Sequence, residues 1–314
     1  FTLKNGFVYH NLCLGIREPS PICLNGMDET NMTLHFTKMH GCGNDYIYVD
    51  GFKEDLKNPS LAAQKLSPRH FAVGADGLIL ICPSKIADAK MRMFNADGSE
   101  GKMCGNGIRC VAKFVYDNGI CRKNPLVIET LSGLKTVHLT ISGGVVTKAA
   151  VAMGMPEFAP SKIPVNVKTD DPIINQNVTL GGREHTSTCV SMGNPHCVIF
   201  VPQDFPLWEF DIQAVGAPIE NDPYFPEGVN VEFVKPISSS QLEMRVWERG
   251  SGETYACGTG ACASVAAACK NGICSMDTPV TVKLRGGDLS ICYRKDGIEM
   301  TGEAVTAFCG SAEV

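Results

Sequence analysis

From Leu34 onward the chain alternates short apolar runs with turn residues, and that spacing predicts many short strands and few helices. LHFTKMHGCGNDYIYVDG reads as two strands around the turn Gly41-Cys42-Gly43-Asn44-Asp45. A helix is expected over about 59–70, interrupted near Pro68, and 74–83 reads as a turn followed by a buried strand. Further strands are expected at MRMFN, 125–131, 134–140 and 145–153, after which Pro156, Pro160 and Pro164 mark a change of domain. Two helices stand out. After Cys104, the apolar residues Ile108, Val111, Ala112 and Val115 fall at helical spacing, and Asn118-Gly119 supplies a stop. After Cys257, the run ACASVAAACK is small and apolar on every side, as in a helix buried inside a domain.

The pattern occurs twice. MRMFNADGSEGKMCGNGIRCVAKFVYDNG (91–119) aligns without a gap to MRVWERGSGETYACGTGACASVAAACKNG (244–272), at a constant offset of 153 residues. SMGNPHCVIFV echoes HGCGNDYIYVD, with Gly43-Asn44 matching Gly193-Asn194; GVNVEFVKP echoes GADGLILICP; and Pro279 matches Pro125. One duplication of this length is not a repeat array, which needs several short units. The fold expected is α+β: two pseudo-symmetric domains, each an antiparallel sheet wrapped around a central helix. A crevice between the halves would set Cys104 and Cys257 face to face, each at a helix N-terminus.

That placement carries the candidate chemistry. Unpaired N–H groups and the positive dipole end of a helix favour an anion, and a thiolate there is expected to have a depressed pKa. The flanking glycines allow a ligand carboxylate to approach the same N–H groups. A single Cys-Gly-x-Gly is more often an inert helix start; two at matched positions are not. Composition adds exclusions. The hydrophobic content of 44% and charged content of 19% are those of a globular protein. A net charge of −5 without a long basic run argues against a nucleic-acid partner, and no stretch reaches the ~18 apolar residues of a membrane span. The fifteen cysteines include no C-x-x-C and no metal-ligand spacing, and several sit among alanines and valines as small hydrophobes. That usage predicts a reducing cytoplasm. Residues 1–31 lack periodicity and read as a leader or extension, with Met27 or Met32 as candidate starts.

At FTKMHGCGNDY, FNADGSE, MCGNGIRC, SMGNPHC, GVNVEF, RVWERGSGET and ACGTGAC, spread over residues 34 to about 302, the chain closely resembles the diaminopimelate epimerases. The resemblance implies epimerisation of LL-2,6-diaminopimelate to the meso form, in lysine biosynthesis, with no cofactor and no metal. It implies Cys104 and Cys257 as the catalytic thiols, and substrate contacts from Asn44, Asn95, Asn194, Asn230, Glu248 and Arg249. The backbone N–H groups of Gly105-Asn106 and Gly258-Thr259 would hold the carboxylate at the reacting centre, with His196 beside the site. It also implies a last strand that crosses back, dividing the chain into 32–148 with about 302–314, and 149–301; it leaves a homodimer open as the assembly. Three positions depart from the family's pattern. Gly77 stands where some members carry Gln, whose ligand contact would be lost; Cys42 stands in a turn often filled by Leu or Ala; and Tyr46 replaces a frequent Phe. Cys42, a third thiol near Asn44, is expected to make the site prone to oxidation.

The residue types suit the task. Inverting an α-carbon needs one deprotonated and one protonated group on opposite faces of that carbon. Two thiols whose protons are coupled can provide both, and helix-end N–H groups can stabilise the carbanion as it delocalises into the carboxylate. Arg249 is expected to clamp the remote carboxylate bidentately. Asparagines beside Gly or Asp are otherwise ordinary turn residues, and Glu248-Arg249 would otherwise be a solvated ion pair. Proline racemases and hydroxyproline epimerases are the near alternative; they carry His where Asn106 stands. From other classes, a thiol–disulfide oxidoreductase would require cycling between Cys104 and Cys257, and a non-catalytic binding module leaves the matched thiols unexplained.

Overall fold

The computed structural model describes residues 32–314, so the leader expected over 1–31 lies outside the described residues. The first half runs β1 (Thr33–Gly41), β2 (Asn44–Asp50), α1 (Pro59–Leu66), β3 (Gly77–Cys82), β4 (Ala89–Asn95), β5 (Glu100–Gly101), α2 (Gly105–Asp117), β6 (Leu126–Thr130), β7 (Gly133–Ser142) and β8 (Val145–Gly154). A short 3₁₀ turn at Pro160–Lys162 leads to β9 (Gln176–Leu180). The order then repeats as β10 (Arg183–Ser191), β11 (Pro195–Phe200), α3 (Ile212–Glu220), β12 (Asn230–Ser238), β13 (Gln241–Glu248), β14 (Gly252–Glu253), α4 (Gly258–Lys270), β15 (Val280–Leu284), β16 (Gly287–Arg294) and β17 (Gly297–Glu303). The chain closes with β18 (Val305–Glu313).

The duplicated, two-part α+β fold is the one expected, and the pairing is mostly antiparallel. Four pairs are parallel instead: β2–β3, β4–β6, β11–β12 and β13–β15. The reason is connectivity. Parallel neighbours need a crossover between them, and α2 and α4 fill the crossovers from β4 to β6 and from β13 to β15. Each helix thereby becomes the centre its own sheet wraps around. The stops also behave as expected: Asn118 and Asn271 cap the two helices, followed by Gly119 and Gly272 at φ +72 and +70. α1 ends at Leu66, ahead of Pro68. The periodicity missed α3, whose nine residues include Gly216 and Pro218.

β8 and β17 are equivalent strands, and they pair with each other antiparallel (Val151 opposite Met300), joining the halves in one sheet. Beyond that seam the chain trades strands. After β8 it crosses to β9, which lies antiparallel to β10; after β17 it crosses to β18, which lies antiparallel to β1. α2 and α4 sit in one continuous apolar core that includes Ile108, Val111, Val115, Ala263, Val265 and Ala267. A second core, around Ile163, Leu180, Leu207, Ile219 and Phe225, lies where α3 packs on β12 and β13. Full burial of Ile108, Val111, Val115 and Val265 stabilises by roughly 1.5–3 kcal/mol each, which anchors both helices.

Candidate active site

Cys104 and Cys257 are the N-cap residues of α2 and α4. Each has an extended backbone, at φ −126 and −109, and each sulfur accepts the N–H three residues on, from Gly107 and Gly260, at 3.3 Å. The N–H groups of Gly105 and Asn106, and of Gly258 and Thr259, belong to first turns and have no intrahelical acceptor. The two helix starts converge on one side chain. A Cβ on Gly105 would lie 2.9 Å from Met300 Cε, and one on Gly258 would lie 3.0 Å from Met300 Sδ. Glycine at both positions is what allows the approach. A hydrogen bond of 3.0 Å from Asn106 Nδ2 to the carbonyl of Ala256 ties the start of α2 to the residue before Cys257.

Both thiols open onto a cavity of about 1810 Å³. Of the residues singled out in the sequence, it is lined by Asn44, Asn95, Cys104, Gly105, Asn106, Asn194, Glu248, Arg249, Cys257, Gly258 and Thr259. Two lie behind the wall instead. Asn230 is buried with its amide committed, donating to Pro195 O at 2.7 Å and accepting from the Arg249 N–H at 3.0 Å. His196 is buried between Glu232 Oε1 (2.7 Å) and Asn194 Oδ1 (3.0 Å). Arg249 lines the cavity, its guanidinium donates to the carbonyl of Glu227 at 2.9 Å, and no ion pair with Glu248 forms among the described residues. Glu248 accepts instead from the hydroxyl of Thr254.

The electrostatics overturn one expectation. Burial pushes the Cys104 thiol up from its ordinary value; the N–H groups of Gly107 and Asn106 and the Arg109 guanidinium oppose that, and Glu248 adds to it. Cys257 is pushed well up, by burial first and then by the carboxylates of Glu248 and Glu232, against the pull of Thr259 and Gly260. A helix N-terminus does lower a thiol pKa, but here desolvation outweighs it. Burial likewise raises Glu248. Cys42 is also corrected: its sulfur is buried beside Arg109 Nη2 (3.7 Å), outside the cavity lining, and burial raises its pKa. A protonated, enclosed thiol is a poor target for oxidation.

Other residues went unread in the sequence. Asp76 accepts from Asn44 Nδ2 at 2.7 Å, which turns Asn44 Oδ1 toward the Cys104 sulfur at 3.2 Å. Arg109, fully buried, donates to the carbonyls of Gly105 and Glu303 and to Asn106 Oδ1. Glu232 was the one legible signal: an acid within the apolar run Val231-Glu232-Phe233 needs a buried partner. Gly77 has its own physical reason, since a Cβ there would lie 2.0 Å from Phe94 O. No glutamine fits this backbone.

Solved structures share the architecture. A probable proline racemase from Agrobacterium radiobacter K84 is 16% identical, with TM-score 0.64 over 89% of this chain and 92% of that one. A hydroxyproline epimerase from Agrobacterium vitis is 15% identical, with TM-score 0.65 over 90% and 93%. A PhzF-family phenazine biosynthesis protein from Bacillus anthracis is 16% identical, with TM-score 0.67 over 90% and 100%. The fold is therefore the one these racemases, epimerases and PhzF proteins have in common, here with a cysteine capping each central helix. Within it, the chain belongs to the diaminopimelate epimerase family, whose profile matches residues 36–159 and 188–307. Relatives named diaminopimelate epimerase include one from Acetivibrio thermocellus, 49% identical over 90% of this chain and 99% of its own length. Another, from Methanococcus maripaludis, is 47% identical over 90% and 100%.

Proposed function

We propose that this protein epimerises LL-2,6-diaminopimelate to meso-diaminopimelate in lysine biosynthesis, with Cys104 and Cys257 as the acid–base pair. The observation that carries the reading is the convergence of two cysteine-capped helix starts on one cavity. In the forward step, a thiolate on one face takes the α-proton and becomes a thiol. The electron pair left on carbon delocalises into the α-carboxylate, whose growing charge is held by the N–H groups of Gly105, Asn106, Gly258 and Thr259. The opposite thiol then delivers its proton to the other face and becomes the thiolate. One proton is taken and one given, and every transfer runs through the chain's own sulfurs.

Asn44, Asn95, Asn194, Glu248 and Arg249 line the cavity and would bind the substrate's ammonium and carboxylate groups; Asn230 and His196 serve from behind the wall. The strand exchange supports a division into 32–148 with about 302–314, and 149–301. All thirteen described cysteines are free, which supports a reducing cytoplasm. A homodimer is the assembly carried with this reading; β18, paired among the described residues with β1 alone and carrying Phe308 49% exposed, offers an edge for it, and sedimentation tests it.

The test is turnover of LL-diaminopimelate by reduced protein in D₂O, with free L-proline in parallel. Early product is expected to carry deuterium at the inverted carbon while unreacted substrate carries almost none, and L-proline is expected to be left unchanged. Cys104→Ala and Cys257→Ala should each abolish epimerisation, because one thiol reaches one face. Early product rich in protium, or substantial activity in either variant, would sink the two-thiol assignment.

A further inference from the structure

The two thiols are held alike, but what stands behind them is not alike. Strand register pairs Tyr46 with Gly77 in the first half and His196 with Asn230 in the second, so Tyr46 corresponds to His196 and Ile79 to Glu232. Tyr46 and Ile79 are buried and largely apolar. His196 and Glu232, both 0% exposed, form a hydrogen-bonded polar pair in the same place. A buried ionisable pair is often no more stabilising than apolar side chains of similar volume, and the first half shows that the fold accepts apolar ones here. The only hydrogen bond of the Glu232 carboxyl among the described residues is to His196, since Oε2 has no partner. Glu232 also lies close under the start of α4. A Cβ on Gly260 would meet Oε1 at 2.7 Å.

Donor and acceptor chemistry fixes the protons along this line. His196 Nε2 lies 3.0 Å from Asn194 Oδ1, an amide oxygen that only accepts, so Nε2 carries hydrogen. The 2.7 Å contact from Nδ1 to Glu232 Oε1 then contains one proton, on the ring or on the carboxyl, and the pair is neutral either way. With Oδ1 occupied, Asn194 Nδ2 donates to Thr259 Oγ1 at 3.3 Å. The threonine hydroxyl, having accepted, has its own hydrogen free for Cys257 Sγ at 3.4 Å. Across the cavity, Asp76 turns Asn44 the other way and presents an acceptor to Cys104. The matched asparagines therefore serve their thiols with opposite polarity.

We propose that Glu232 is a positioning residue that, through His196, locks the Asn194 amide and aims the Thr259 hydroxyl hydrogen at Cys257 Sγ. The line supplies a donor to a sulfur that burial, Glu248 and the charge of Glu232 itself disfavour as a thiolate. This rests on the reading of Cys257 as an acid–base thiol, but its test does not need turnover. Glu232→Leu removes the partner of Nδ1, whereas Glu232→Gln keeps an N–H that can donate to it. Both variants remove the carboxylate that raises Cys257, so the relay is read between them: in iodoacetamide alkylation at neutral pH, followed thiol by thiol by peptide mass spectrometry, Cys257 should react about 10-fold more slowly in Glu232→Leu than in Glu232→Gln, the effect of one pKa unit. Cys104 should differ between the two variants by no more than about 2-fold, because the line of hydrogen bonds ends at Cys257. Equal slowing at both thiols, or no difference between the leucine and glutamine variants, overturns the proposal. If Glu232→Leu does not fold, the native protein decides the matter. With ¹⁵N-labelled histidine, His196 is expected to carry hydrogen on Nε2, and a ring protonated on Nδ1 alone overturns it. Protein with this thiol pattern but no turnover of diaminopimelate would sink the activity and leave the relay standing.

Discussion

Cys104 and Cys257 share one cap geometry, and their surroundings set them apart. Burial raises both thiols, and Glu248 and Glu232 press further on Cys257. An acid whose pKa is raised ionises only at higher pH. In ligand-free protein, alkylation at each cysteine should therefore climb as pH rises past the ordinary thiol value of about 8.5, with Cys257 trailing Cys104. A pH series of alkylation, read at each peptide, checks the order; Cys257 reacting first would contradict it. Arg249 gives a second residue-level expectation. Arg249 lines the cavity, and among the described residues its guanidinium donates to the Glu227 carbonyl alone, leaving its fork available to a carboxylate. Arg249→Lys keeps the charge and loses the fork, so kcat/KM for diaminopimelate should fall roughly 10-fold or more. Near-normal kinetics would make Arg249 a surface residue. Local spacing placed Cys104 and Cys257 at helix starts, whereas Asn44, Asn95, Asn194, Glu248 and Arg249 were named through the family resemblance, since at a strand end or in a turn such residues are otherwise ordinary. That Asn230 and His196 lie behind the wall was not legible, because the partners that hold them, Pro195 O and Glu232, come from neighbouring strands far off in sequence.

At the scale of elements, the two helix starts are braced against each other through Asn106 and Arg109. Asn106 donates to Ala256 O and accepts from Arg109 Nη1, which also holds Gly105 O. Asn106→Ala leaves those groups unmatched in a buried place, at about 1–3 kcal/mol. Urea unfolding should show that loss, and kcat should drop further than the loss of folded protein explains. An unchanged kcat would mean that the brace serves stability alone. Helical periodicity placed α2 and α4 from their apolar residues, but it could not read Arg109. One of its partners, the carbonyl of Glu303, is supplied from the far end of the chain. α3 escaped for a different reason, since Gly216 and Pro218 break the apolar rhythm inside it.

For the whole molecule, the buried cysteines that take no part in the site set a pH limit on stability. Burial pushes Cys110 up to about 11 and Cys262 up to about 12. Unfolded, both would ionise near 8.5. Between those values the folded chain binds protons that the unfolded chain has lost, so stability falls as pH rises. Each thiol contributes about 1.4 kcal/mol per pH unit in that window. Urea midpoints should decline from about pH 8.5 upward, and Cys262→Ala should flatten the decline. A midpoint flat through pH 10 would show that these thiols ionise without cost.

The return of β18 to β1 has a consequence for how the protein is made. β1 is the first described strand to leave the ribosome, and β18 is the last. One edge of β1 therefore waits for its partner until β18 has been made, although α2, which packs against it, was finished long before. A nascent chain stopped after β17 should remain open to protease along β1, while β10, whose partner β9 directly precedes it, is already covered. That edge of β1 is closed by the nine residues of β18.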